Sequence, residues 1–67
     1  MNIRLNGKDY ALIEGTATLH DLLQQLAIDG KIVIIEQNRQ IIDRSRYPDT
    51  AVQPGDVIEI VHFVGGG

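Results

Sequence analysis

One amphipathic stripe limits what this chain can build. Leu19, Leu22, Leu23, Leu26 and Ala27 recur at i, i+3, i+4, i+7 and i+8, the spacing of a single apolar helix face. Thr18 stands where an N-cap is needed, and Asp21 follows three residues later as in a capping box. Gln24 and Gln25 are expected on the outer face, and Gly30 is expected to end the helix near C′ after roughly ten residues. The other apolar segments read as strands. One helix stripe must therefore cover one sheet, which predicts a two-layer α+β domain.

The strand pattern is consistent along the chain. Ile3 and Leu5 alternate with Asn2, Arg4 and Asn6, as in a strand with one buried face. Asn6-Gly7 is a strong hairpin signal, because both residues tolerate positive φ. The return strand is expected from Lys8 to about Ile13. Whether the turn centres on Asn6-Gly7 or Gly7-Lys8, Tyr10 and Leu12 share the face of Ile3 and Leu5. Ile32-Val33-Ile34-Ile35 is a β-branched run and Ile41-Ile42 a short strand, with a turn at Gln37-Asn38-Arg39-Gln40 between them. Residues 43–49 read as polar and irregular. Gln53-Pro54-Gly55-Asp56 has Pro and Gly at the central positions of a type II turn. The last strand runs from Val57 to about Phe63. The order is β-β-α-β-β-β. The long connection from Asp43 to Asp56 lets the last strand return beside the first. That arrangement is the β-grasp, or ubiquitin-like, roll, with a mixed sheet of four to five strands on one helix. Residues 1–64 form the domain, and residues 65–67 a flexible tail.

Composition excludes several classes of function. The chain has 67 residues, no cysteine and a formal charge of −3, so it has no thiolate chemistry and no basic face for phosphate backbones. Its start already alternates like a strand and it has no long apolar span, so no membrane role is expected and a cytoplasmic location is the default. His20 and His62 fall on separate elements without a ligand pattern, so no metal site is expected. Asp43, Asp49 and Asp56 lie in loops, where turn and cap roles dominate. Arg44 and Arg46 read as solvated loop charge. Ser45 is the one serine, and no nucleophilic triad can be assembled around it.

Strand parity leaves a surface unused. Glu59 does not belong in so small a core, so Ile58 and Ile60 face the helix. Val61 and Phe63 then point outward. Glu36 turns Ile34 outward by the same rule. Ile34, Val61 and Phe63 are expected to form an exposed apolar patch, the kind of surface that marks an interface.

Beyond that strand lie Val64, Gly65, Gly66 and Gly67. Four extended residues reach at most about 14 Å. Without Cβ atoms, such a stalk can thread a narrow channel and leave its last carbonyl open to attack. The terminal carboxylate of Gly67 is ionised at neutral pH and is a poor electrophile. Attack of that carboxylate on the α-phosphate of ATP would activate it as an acyl-adenylate. Gly65-Gly66-Gly67 opens no helix and so is no phosphate loop. A partner enzyme must supply the nucleotide and its metal.

These residues resemble the ThiS family of sulfur carriers of thiamin (thiazole) biosynthesis over nearly the whole chain. The likeness lies in Ile3-Arg4-Leu5-Asn6-Gly7-Lys8, Asp21-Leu22-Leu23, Ile41-Ile42-Asp43-Arg44-Ser45-Arg46-Tyr47, and above all the run from Gly55 to Gly67. Asp43 stands where many members have proline, which bears on the shape of that loop. The resemblance implies that a ThiF-type, E1-like adenylyltransferase activates Gly67 with ATP and Mg, with Gly66 beside it in the reactive end. A persulfide then supplies the sulfur of a thiocarboxylate, and thiazole synthase, ThiG, takes that sulfur. Gly65, Val64, Phe63, Val61 and Ile34 would meet the partners. The carrier would be a protein co-substrate rather than an enzyme, with no bound cofactor, nucleic acid or membrane. Other readings of the same architecture are a MoaD-type carrier for molybdopterin synthesis and a ubiquitin-like modifier of lysines. A plain binding module with an incidental tail is the remaining one.

Overall fold

The computed structural model describes residues 1–62. The predicted end of the last strand at Phe63, Val64 and the predicted tail of residues 65–67 lie outside the described residues. The elements are β1 (Asn2–Leu5), β2 (Lys8–Ala11), α1 (Leu19–Gln25), β3 (Val33–Gln37), β4 (Gln40–Ile42) and β5 (Val57–His62). Two 3₁₀ segments, Gly30–Ile32 and Arg44–Asp49, join them. The sheet order is β2-β1-β5-β3-β4. β1 and β5 run parallel, and the other neighbours are antiparallel. This is the predicted β-grasp arrangement, with the last strand beside the first.

The first hairpin forms in the predicted register. Ile3 pairs with Tyr10 and Leu5 with Lys8, so the turn centres on Asn6-Gly7. Asn6 has φ 50° and Gly7 φ 82°, values that suit Asn and Gly and match the twist of the strands. The second hairpin turns in the same hand through Asn38 (φ 50°) and Arg39 (φ 72°).

The core lies between the inner sheet face and α1. Leu19, Leu22, Ile3, Ile35 and Ile58 are sealed from solvent, and Leu12, Val33, Leu23, Tyr47, Val52 and Ile60 complete the layer. Burying each such aliphatic side chain contributes about 1.5–3 kcal/mol.

The helix begins as expected and ends differently. The Thr18 hydroxyl accepts the Asp21 N–H at 3.1 Å, and the Asp21 carboxylate accepts the N–H groups of Ala17 and Thr18 at 2.9 and 3.0 Å. Those N–H groups, Ala17 first, hold the Asp21 carboxyl below its usual range. The helix has seven residues rather than ten. Ala27, expected on the buried stripe, is exposed at φ 57°. Its N–H donates to the Gln24 carbonyl at 3.1 Å, and the Ile28 N–H to the Leu23 carbonyl at 2.9 Å. This is the paired closure of a Schellman motif, with Ala27 rather than Gly30 at C′. Gly30 meets a different need. A Cβ there would come within 3.1 Å of Leu23 Cδ1 and 3.7 Å of the Tyr47 ring.

Four further expectations are corrected. Gln25 does not simply face solvent. Its amide donates to Tyr10 Oη at 2.9 Å and the Ala11 carbonyl at 3.3 Å, and accepts from the Ile13 N–H at 3.1 Å and Thr16 Oγ1 at 2.9 Å. It ties α1 to the end of β2, which stops at Ala11 rather than Ile13. Ile32 belongs to a 3₁₀ turn and is exposed, so β3 starts at Val33. Residues 44–49 are not irregular. They form a 3₁₀ segment that buries Tyr47, whose hydroxyl accepts the buried Ile35 N–H at 3.1 Å.

Tyr47→Phe orphans that N–H, so urea unfolding is expected to show a loss of about 1–3 kcal/mol, with faster exchange at the Ile35 amide. For Asp21 the folded pKa is depressed, so its stabilisation is present above the ordinary value near 3.8 and is lost as pH falls through the lower folded value. Asp21→Asn is expected to melt below the wild type at neutral pH, and the gap should close as the pH drops beneath that range.

Candidate functional site

The site builds from β5, the strand that leads to the candidate reactive end. Ile58 and Ile60 are buried and Glu59 and Val61 exposed, as parity predicted. Ile34 lies directly opposite Val61 in the β3–β5 register, and Glu36 opposite Glu59. Val61 is 58% exposed, and Ile34 is half-buried beside it on the outer face. The fold therefore joins two of the three predicted patch residues. Phe63 is outside the described residues, as are Val64, Gly65, Gly66 and Gly67.

Two patch residues escaped the sequence reading. Val57 is 44% exposed on the same face of β5, where the parity of Glu59 and Val61 already pointed. Ile41 is 70% exposed and pairs with Glu36 across β3 and β4. For Ile41 no local signal existed, since two adjacent isoleucines do not say which one faces in. The pairing of β4 with β3 decides that Ile42 faces in. Glu36 and Glu59 stand opposite each other within this apolar surround, an arrangement that opposes pairing of the two strands. The one ion pair among the described residues, Arg4 with Asp9 at 3.6 Å, lies on the far hairpin and is well exposed.

β5 is held from both flanks by turn asparagines. Asn38 donates its backbone N–H to the Val57 carbonyl at 2.8 Å, and its Oδ1 accepts the Val57 N–H at 2.9 Å. Asn38 Nδ2 also meets the Asp56 carboxylate at 3.0 Å, and that carboxylate accepts the Gln53 N–H at 2.8 Å and Gln37 Nε2 at 2.9 Å. Asp56 is thus a turn residue. On the other flank, Asn6 Oδ1 accepts the Ile60 N–H at 2.8 Å.

The remaining candidates stay apart. His20 is on α1 and His62 ends β5 opposite Val33. Among the described residues, no three His, Cys, Asp or Glu side chains gather as metal ligands. A cavity of about 240 Å³ lies on the helix side against Leu23, Ile28, Tyr47 and Pro48, and no β5 residue lines it. Among the described residues, no helix is long and apolar enough to cross a membrane.

Val61 and Ile41 are exposed and belong neither to the core nor to the side chains packed against it, so Val61→Ser and Ile41→Ser are expected to shift unfolding free energy by no more than about 0.5 kcal/mol in urea titrations.

The ThiS family model matches residues 3–67. The sulfur carrier protein ThiS of Bacillus subtilis (strain 168) is 49% identical over 65 residues, 97% of this chain and 98% of that protein. A thiazole synthase of Magnetococcus marinus is 40% identical over all of this chain, which spans 20% of that longer protein. The crystal structure of a thiamine biosynthesis protein (ThiS) from Geobacter metallireducens superposes with a TM-score of 0.86 at 30% identity, covering all of both chains. The chain belongs to the ThiS family.

Proposed function

We propose that this chain carries sulfur on the carboxylate of Gly67 and delivers it to thiazole synthase in thiamin biosynthesis. The carrying observation is the extent of the family match. It runs through residue 67, so the glycine end is part of the matched family pattern rather than an appendage. A near-full-length relative named as a sulfur carrier supports the same reading. The likeness of the whole chain to a fifth of a thiazole synthase supports that enzyme as the acceptor and favours the thiazole branch over molybdopterin.

The chemistry then divides between proteins. An E1-like adenylyltransferase of the ThiF type supplies ATP and Mg. The Gly67 carboxylate attacks the α-phosphate, pyrophosphate leaves and an acyl-adenylate forms. A persulfide sulfur attacks the carbonyl and AMP leaves. A further thiol cleaves the sulfur–sulfur bond and leaves the thiocarboxylate. The carrier contributes no general acid or base. Residues 1–64 serve as the handle and residues 65–67 as the reactive arm. Gly66 and Gly65 keep the approach to the carbonyl clear, since a side chain there would narrow the path. Val61, Ile34, Phe63 and Val64 offer the partner an apolar landing beside that arm.

Intact-protein mass spectrometry after co-expression with the activating enzyme is expected to show a gain equal to oxygen replaced by sulfur. The variant lacking Gly66 and Gly67 should show none while melting like the wild type. A ladder of heavier conjugates would instead identify a protein modifier, and an unchanged mass with activity retained on truncation would make the glycines incidental. Capture of thiazole synthase rather than a molybdopterin synthase subunit fixes the branch.

A further inference from the structure

β5 is unevenly supported along its length. Toward β3 it is paired as far as Val33 opposite His62. Toward β1 the strand pairing covers only Arg4 with Val57 and Leu5 with Ile58, because β1 ends at Leu5 and the chain turns away through Asn6-Gly7. The Asn6 backbone N–H still reaches the Ile58 carbonyl at 2.9 Å. Beyond that rung the side chain takes over. Asn6 Oδ1 accepts the Ile60 N–H at 2.8 Å, and Asn6 Nδ2 points at the Ile60 carbonyl at 3.4 Å. A single side-chain amide thus reproduces the donor and acceptor that a longer β1 would have offered.

The turn alone does not require this. At φ 50° either asparagine or glycine fits the first central position of such a hairpin. Only the side-chain amide explains the grip on Ile60. Asn38 makes the comparable grip at the other end of the strand, on Val57. β5 is therefore clamped where it begins and again just before it leads out toward residue 67.

We infer that Asn6 is a positioning residue for sulfur loading, fixing the β1-side edge of β5 at Ile60 so that a partner docked on Val61 meets an already ordered strand. This rests on the sulfur-carrier reading. The physical reason is preorganisation. A backbone residue already fixed need not be fixed during docking, and fixing one is worth roughly a factor of ten in an equilibrium constant. The cost of losing the clamp falls on recognition, because a saturating partner restores the order.

The test compares Asn6→Gly, Asn6→Asp and Asn38→Gly in the full chain with the activating enzyme. Asn6→Gly keeps the turn and removes the clamp. Asn6→Asp keeps the 2.8 Å acceptor. Asn38→Gly removes a turn asparagine from the far end of β5. For Asn6→Gly, KM for the carrier in adenylation is expected to rise about tenfold with kcat little changed. The Ile60 amide should exchange faster. The other two variants should keep KM near the wild type. A loss of folding stability alone would lower Tm without this pattern, since well below Tm nearly every molecule stays folded. Unchanged Ile60 exchange in Asn6→Gly overturns the clamp. Faster exchange with an unchanged KM, or an equal rise in Asn38→Gly, overturns the positioning role while the carrier reading stands. Wild-type protein that never gains sulfur at its terminus overturns the carrier reading and the positioning role together, and the exchange measurement still judges the clamp on its own.

Discussion

The parallel seam between β1 and β5 organises this domain. It brings the last described strand beside the first and places β5 between β1 and β3. The inner residues Ile58 and Ile60 then complete the layer under α1, while Glu59 and Val61 remain outside. The seam itself is short, with two registered pairs. Backbone groups past its end need other partners, because an unmet polar group near the core is costly. The Asn6 side chain supplies them at Ile60, and the Asn38 side chain does the same for Val57 where the β3–β5 pairing stops.

The same economy recurs around the helix. α1 has only seven residues, too few to be stable alone in water, so its ends and its packing must hold it. Thr18 and Asp21 close one end, and the Leu23 and Gln24 carbonyls close the other through Ile28 and Ala27. Gln25 uses all four of its hydrogen-bonding positions to fasten the helix to the first hairpin. Tyr47 fastens β3 from below through its hydroxyl. Polar side chains do much of the joining in a domain too small to rely on apolar burial alone.

The outer sheet face carries the opposite character. Val57, Val61 and Ile41 are exposed there, with Glu36 facing Glu59 among them. Neither the exposed apolar groups nor the opposed carboxylates help the isolated fold. A family whose members hand sulfur to other proteins has a use for a face that the core leaves free. That face is built on β5, so docking there and delivery from Gly67, as proposed, would share one element.

Local spacing in the sequence determined the helix stripe from Leu19, its cap at Thr18, the Asn6-Gly7 turn, the parity of β5 and the glycine end. Each depends on residues within a few positions of one another, where propensity and periodicity act. The chemistry proposed for Gly67 is likewise argued from the sequence alone, since it needs no neighbour from elsewhere in the chain. Tertiary structure alone decided that Ala27 closes the helix while Gly30 makes room for Leu23, that Gln25 turns inward to the hairpin, and that residues 44–49 coil to bury Tyr47. It also decided that Ile41 faces out and that Asn6 grips Ile60, 54 positions away. These are contacts between segments distant in sequence, and no local pattern records which backbone group will lack a partner until the strands have been laid side by side.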